Sequence, residues 1–188
     1  LELCVLAEEM GRVLAPIPFS SSVYLFTEAI NKFASDEIKK DILPKLVSGE
    51  IVGTIAVTEE LHAPTSKNIT TTVKNNIVSG TKIAVPDAKI ATHSIVVAKS
   101  DNGIDLRLID HSLDGICINH TNSVDESRGH FSMSIENVPT LLIGEEDNGW
   151  ECYERLVDQA AVLFSFEQLG GAQASMEMAL SYAKERYA

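Results

Sequence analysis

The chain has 188 residues, 45% of them apolar and 22% charged, which fits a folded globular protein with a real core rather than a disordered or fibrous one. Its net charge is −12, from 27 acidic against 15 basic residues with no cluster of Lys or Arg, and this argues against nucleic acid or an anionic membrane surface as partner. No apolar run approaches the roughly 18 residues of a spanning helix, and the mixed acidic and apolar stretch Leu1 to Arg12 is unlike a signal peptide, so no membrane span and a cytoplasmic location are expected.

Apolar residues Leu3, Leu6, Met10, Val13 and Leu14 recur at helical spacing until Pro16 and Pro18 stop the helix. The chain opens inside that helix, with no initiating Met and no cap before it, so upstream sequence is expected. Ser20 to Ser22 can cap a second helix carrying Val23, Phe26, Ile30 and Phe33. Ser35-Asp36-Glu37 opens a third with Ile38, Ile42 and Leu46, which Gly49 ends.

From Ile51 the period becomes strand-like. The predicted strands are Ile51 to Val57, Ile69 to Lys74, Ile77 to Val85, Ser94 to Lys99, Ile104 to Asp110, Gly115 to Ile118, Phe131 to Glu136 and Leu141 to Ile143. Turn signals at Asn75-Asn76 and Asp101-Asn102-Gly103 join them without intervening helices, which predicts an antiparallel sheet curled into a barrel or sandwich. After Gly149 the helical period returns in Trp150, Tyr153, Leu156, Val157, Ala160 and Phe164, and a further stretch with Met176, Ala179, Leu180 and Ala183 follows Gly170-Gly171. The expectation is an α+β chain: the end of a helical domain over 1–50, a β domain over 51–145 and the start of a helical bundle over 146–188.

Candidate chemistry is sparse when read from residues alone. The histidines at 62, 93, 111, 120 and 130 show no metal-ligand spacing and read as solvated or locally bonded. Cys4, Cys117 and Cys152 are odd in number and far apart, and read as buried or inert thiols rather than a disulfide framework. Glu59-Glu60 and Glu145-Glu146-Asp147 are carboxylate clusters that acid-base work could use if burial raised a pKa; the second also suits the start of a helix. The sequence has no G-x-G-x-x-G, Walker loop or G-x-S-x-G.

Several phrases in order do carry a likeness: Glu9-Met10-Gly11-Arg12 with Pro16 and Pro18; Leu43-Pro44 with Gly49-Glu50; Ala56-Val57-Thr58-Glu59; Gly80-Thr81-Lys82 with Val85-Pro86-Asp87-Ala88; Ser127-Arg128; Val138-Pro139 with Leu142-Ile143-Gly144; and Gly170-Gly171-Ala172-Gln173 leading to Tyr182-Ala183-Lys184-Glu185-Arg186. Over nearly the whole chain this resembles the acyl-CoA dehydrogenases, of the divergent bacterial kind. The resemblance implies FAD as cofactor, an acyl-CoA thioester as substrate in fatty acid metabolism, α,β-dehydrogenation with hydride transfer to the flavin, an electron-transfer flavoprotein as acceptor, and a homo- or hetero-oligomer. It places Val57 and Thr58 against the isoalloxazine and Arg186 on the FAD of a neighbouring subunit. The family's usual Pro and Gly-Ser-Asp loop is replaced here by Glu60-Leu61-His62-Ala63-Pro64-Thr65-Ser66, and its aromatic and Thr against the flavin by Ala84 and Pro86. The usual catalytic carboxylate is expected beyond Ala188, so none is named, and these residues alone are expected to be inactive. The alternatives are a non-catalytic partner subunit or degenerate paralogue of a heteromeric enzyme, and an acyl-CoA oxidase-like flavoenzyme.

Overall fold

A computed structural model describes residues 1–124 and 128–186; Ser127 of the Ser127-Arg128 phrase lies outside them. The chain divides into two compact units, Leu1–Ile17 with Asp158–Ala188, and Pro18–Val157.

The first unit joins helix α1 (Glu2–Arg12) to the later turns of α4 (Gly149–Glu185). The helix α4 runs unbroken through Gly170-Gly171, where the sequence suggested two stretches. The reason is packing: a Cβ on Gly170 would lie 1.9 Å from the Glu8 carbonyl oxygen, and one on Gly11 would lie 1.9 Å from that of Glu167, so these glycines let two backbones touch. Arg12 clasps Glu177 across the pair, Nη2 to Oε2 at 2.8 Å.

In the second unit a π-helical segment, Ser20–Thr27, runs into α2 (Glu28–Phe33), and α3 follows (Asp36–Ser48). Ser35 caps α3, accepting from the Ile38 N–H at 3.3 Å, and Gly49 closes it at φ 77°. Ser20 to Ser22 do not cap: the helical conformation already includes Phe19, and the three hydroxyls bond to other segments.

The strands are β1 (Gly53–Ala56), β2 (Thr72–Lys74), β3 (Ile77–Pro86), β4 (His93–Lys99), β5 (Ile104–Asp110), β6 (Ile116–Thr121), β7 (His130–Pro139) and β8 (Leu141–Ile143), in the order β6-β7-β3-β2-β4-β5-β8 with β1 on β4. Asn75 and Asn76, at φ 49° and 59°, make the tight β2–β3 turn that their dipeptide signalled. The sheet is mixed rather than wholly antiparallel, because β1 and, at Thr72, β2 pair parallel with β4. No hairpin ties β1 to the next strand, so nothing reverses its direction. Strands β6 and β7 also extend beyond their predicted ends, since each residue from Ile116 to Thr121 finds a partner between Ile135 and His130.

Strand β4 explains the layering. Its Ile95 and Val97 pack against Phe26, Ile30, Ile42 and Leu156 from the helices, while Val96 and Ala98 pack against Val78, Met133 and Ile135. Both faces are covered, so the sequence reads as a continuous apolar run, and the unit is a sandwich with helices laid on one outer face.

Candidate functional site

All four residues of β1 are buried, and its polypeptide emerges at Val57 and Thr58. The Val57 side chain enters the core, whereas Thr58 is half-buried. The Thr58 carbonyl accepts from the Ile83 N–H at 2.8 Å, which sets Thr58 beside the exposed Ala84 of β3. Ala84 sits in a bulge with φ 51°, where β3 slips register against β7.

Beneath this corner lies a lysine with no solvent contact. Lys82 Nζ donates to the Val57 carbonyl at 3.1 Å, the Val97 carbonyl at 2.6 Å and Glu59 Oε1 at 2.7 Å, which uses all the donors of an ammonium. Glu59 also accepts from the Thr70 N–H and hydroxyl, both at 2.6 Å, and from the Thr71 N–H at 3.0 Å. Burial opposes the Glu59 charge, but these donors outweigh it and hold the carboxyl down to about 2. Burial likewise pushes the Lys82 ammonium down to about 8, against the pull of Glu59. The sequence left open a burial-raised pKa in the Glu59-Glu60 pair; for Glu59 the shift is the reverse, so it is a fixed anion and no proton carrier.

A second polar knot adjoins the end of β3. Pro86 pairs with His130, and its carbonyl accepts from the Thr54 hydroxyl at 2.7 Å. Asp87, at φ 56°, accepts from the Ser21 hydroxyl at 2.6 Å and from Arg128, whose other nitrogen Nη1 donates to Ser20 Oγ at 2.6 Å.

The remaining candidates scatter. His111 bridges Ser94 and the Ala91 carbonyl, His93 faces Asp110 at 4.0 Å, and His62 meets Glu60 at 2.7 Å. Among the described residues no group of three or more His, Cys, Asp and Glu could hold a metal, and no helix is long and apolar enough to cross a membrane. Of the thiols, Cys152 is buried, Cys4 is half-buried and Cys117 is exposed on the edge strand β6, and all three are free. Arg186 lies in the other unit, exposed, with Nη1 3.0 Å from the Tyr182 hydroxyl and its guanidinium over that ring. Lys82 is not distinguished by any sequence motif of its own. Its phase gave the clue, because it shares the inward face of β3 with Val78, where a lysine demands a partner.

Residues 1–50 match the family described as acyl-CoA dehydrogenase, N-terminal domain. Across 98% of its length the chain is 25% identical to cyclohexane-1-carbonyl-CoA dehydrogenase of Geobacter metallireducens, covering 52% of that protein. It is also 25% identical to the mitochondrial short-chain specific acyl-CoA dehydrogenase of Sus scrofa, over 100% of this chain and 49% of that one. A solved steroid ACAD variant superposes with a TM-score of 0.83 at 28% identity, over 99% of this chain and 50% of its own. Over nearly its whole length the chain is similar to acyl-CoA dehydrogenases. Glutaryl-CoA dehydrogenase from Mycobacterium smegmatis shares the fold, with a TM-score of 0.90 at 24% identity. The chain spans about half the length of the curated relatives it matches.

Proposed function

We propose that this chain supplies the flavin-facing sheet of an FAD-dependent acyl-CoA dehydrogenase, with Val57, Thr58 and Arg186 as cofactor-binding residues. The observation that carries the reading is the Thr58 corner: a half-exposed hydroxyl residue set beside an exposed alanine by the Thr58 to Ile83 bond, at the place where the family resemblance puts the isoalloxazine. The donor set fits one polar edge of a flat ring, because Thr58 can offer both an N–H and a hydroxyl while Ala84 presents no bulk above the sheet. Pro86 is the weaker part of the fit, since it has neither N–H nor hydroxyl to give.

FAD, when bound, supplies the acceptor for a hydride leaving the β-carbon of an acyl-CoA thioester. The chain's own residues orient the ring and shield its face. Glu59 does not take the α-proton, because its side chain is 5% exposed and fully engaged by Lys82, Thr70 and Thr71. No base is therefore assigned in this chain. Electrons would leave through an electron-transfer flavoprotein, in an oligomer whose neighbouring subunit receives Arg186. A cytoplasmic location goes with this reading.

A non-catalytic subunit of a heteromeric enzyme is the second reading, favoured by Pro86 and Ala84 and by the loop Glu60 to Ser66, which depart from the family's flavin-binding pattern. An FAD titration of the protein that carries this chain, followed by flavin fluorescence, tests the proposal. Saturable quenching that Thr58→Val weakens supports it, whereas the absence of saturable binding points to the non-catalytic role.

A further inference from the structure

A lysine with 0% side-chain exposure in the middle of a strand is costly, and an apolar side chain would fill the same space without burying a charge. Its neighbourhood shows what the charge is used for. Two of its three bonds go to backbone carbonyls, Val57 and Val97, and only one goes to its counter-ion, Glu59. Glu59 is the charged group facing it, so the ammonium's field falls mainly on that carboxylate and on those two peptides.

We infer that Lys82 is a positioning residue that aims the Thr58 N–H at the flavin edge, an inference that rests on the flavin-facing reading above. The Val57 carbonyl and the Thr58 N–H belong to one trans peptide and point to opposite sides of it. With the carbonyl drawn inward to Lys82 at 3.1 Å, the N–H turns away from the lysine. The next peptide is held as well, by the bond from Ile83 N–H to the Thr58 carbonyl at 2.8 Å. Successive residues of β3, Lys82 and Ile83, thus fix the peptides on both sides of Thr58. A cation on the carbonyl oxygen also draws charge through the amide, which makes the N–H a stronger donor to any acceptor placed before it.

The experiment pairs Lys82→Met with Glu59→Gln, so that no lone charge is buried, and uses Arg107→Met as the stability control because it breaks a different buried ion pair of the same unit. In flavin-free protein, nuclear magnetic resonance follows the Val57 carbonyl carbon and the Thr58 amide. Both signals should move in the double variant and stay in the Arg107 variant. FAD should then bind the double variant roughly fivefold to tenfold more weakly, the equivalent of one net hydrogen bond. Should the double variant not fold, the wild type provides the same readout: its Val57 signal should titrate with a midpoint at about 8 as Lys82 loses its proton. A Val57 signal that ignores both substitution and pH overturns the inference, as does equal FAD affinity in wild type and double variant. Failure of the wild type to bind FAD at all is a separate result, and it overturns the flavin reading itself.

Discussion

Lys82 and Glu59 form a buried ion pair 2.7 Å long, with side chains 0% and 5% exposed. The pair makes stability depend on pH at two ends. Glu59 is held at about 2 in the fold against 4.5 ordinarily, so the folded state binds fewer protons than the unfolded one in between. Its contribution is complete above 4.5 and is lost as pH falls toward 2. Lys82 falls from 10.5 to about 8, so the penalty on its charge is full below 8 and is relieved as pH rises to 10.5. Urea midpoints measured across pH should therefore differ between wild type and Glu59→Gln, with the variant losing less stability on the acid side. Parallel acid limbs in the two proteins would contradict the pairing.

Gly170 and Gly171 are adjacent in α4 but should respond oppositely to alanine. A Cβ at Gly170 meets the Glu8 carbonyl oxygen at 1.9 Å, whereas at Gly171 its nearest atom is the Gly11 oxygen at 3.4 Å. Gly170→Ala is expected to cost about 1–3 kcal/mol by forcing the helices apart. Gly171→Ala should gain up to ~1 kcal/mol of helix propensity. Thermal melts of the two variants check the contrast, and equal effects would argue against the tight crossing.

Arg107 and Asp105 form a second buried pair, joined at 2.5 Å, with Asn76 accepting from Arg107 and the Asp147 N–H donating to Asp105. Arg107→Met leaves the carboxylate buried and unpaired and is expected to cost about 3–5 kcal/mol. Adding Asp105→Asn should restore much of that, because the amide oxygen can still accept from Asp147 without a charge. A double variant no more stable than Arg107→Met would contradict this account.

The fold was largely legible because local signals agreed with it. The Asn75-Asn76 turn, the Ser35 cap and the Gly49 stop each has a short-range cause visible in a few residues. The parallel placement of β1 was not legible, since it depends on a long connection rather than a turn. Continuity of α4 was hidden because glycine marks a helix end and a close crossing alike, and only the position of Glu8 separates them. At the candidate site, Val57 and Thr58 came from resemblance, while their bracing by Lys82 requires knowing that residues 57, 59, 82 and 97 meet, which no local pattern encodes. The serines at 20 to 22 suited a cap by type, and long-range partners at Gly53, Asp87 and Arg128 claimed them instead.

Arg186 is exposed and touches only its own helix through Tyr182 in the described structure, so its removal should leave apo stability nearly unchanged. If it holds the FAD of a neighbouring subunit, Arg186→Ala should weaken flavin retention by roughly 1.5–3 kcal/mol, as for a hydrogen bond to a charged group. Arg186→Lys should weaken it too, because the planar fork is lost although the charge remains. Unaltered flavin affinity in the alanine variant would return Arg186 to a role at the helix end.

The central claim is that Thr58 and its neighbours face a flavin that takes hydride from an acyl-CoA. Its most direct test is anaerobic mixing of the FAD-loaded protein that carries this chain with acyl-CoA thioesters spanning short, branched, cyclic and steroid-type acyl groups, while the oxidised flavin band is followed. The account predicts bleaching by at least one of them, with release of the matching 2-enoyl-CoA in proportion to the flavin reduced. A flavin that stays oxidised with every thioester, in protein shown to hold FAD, would contradict it.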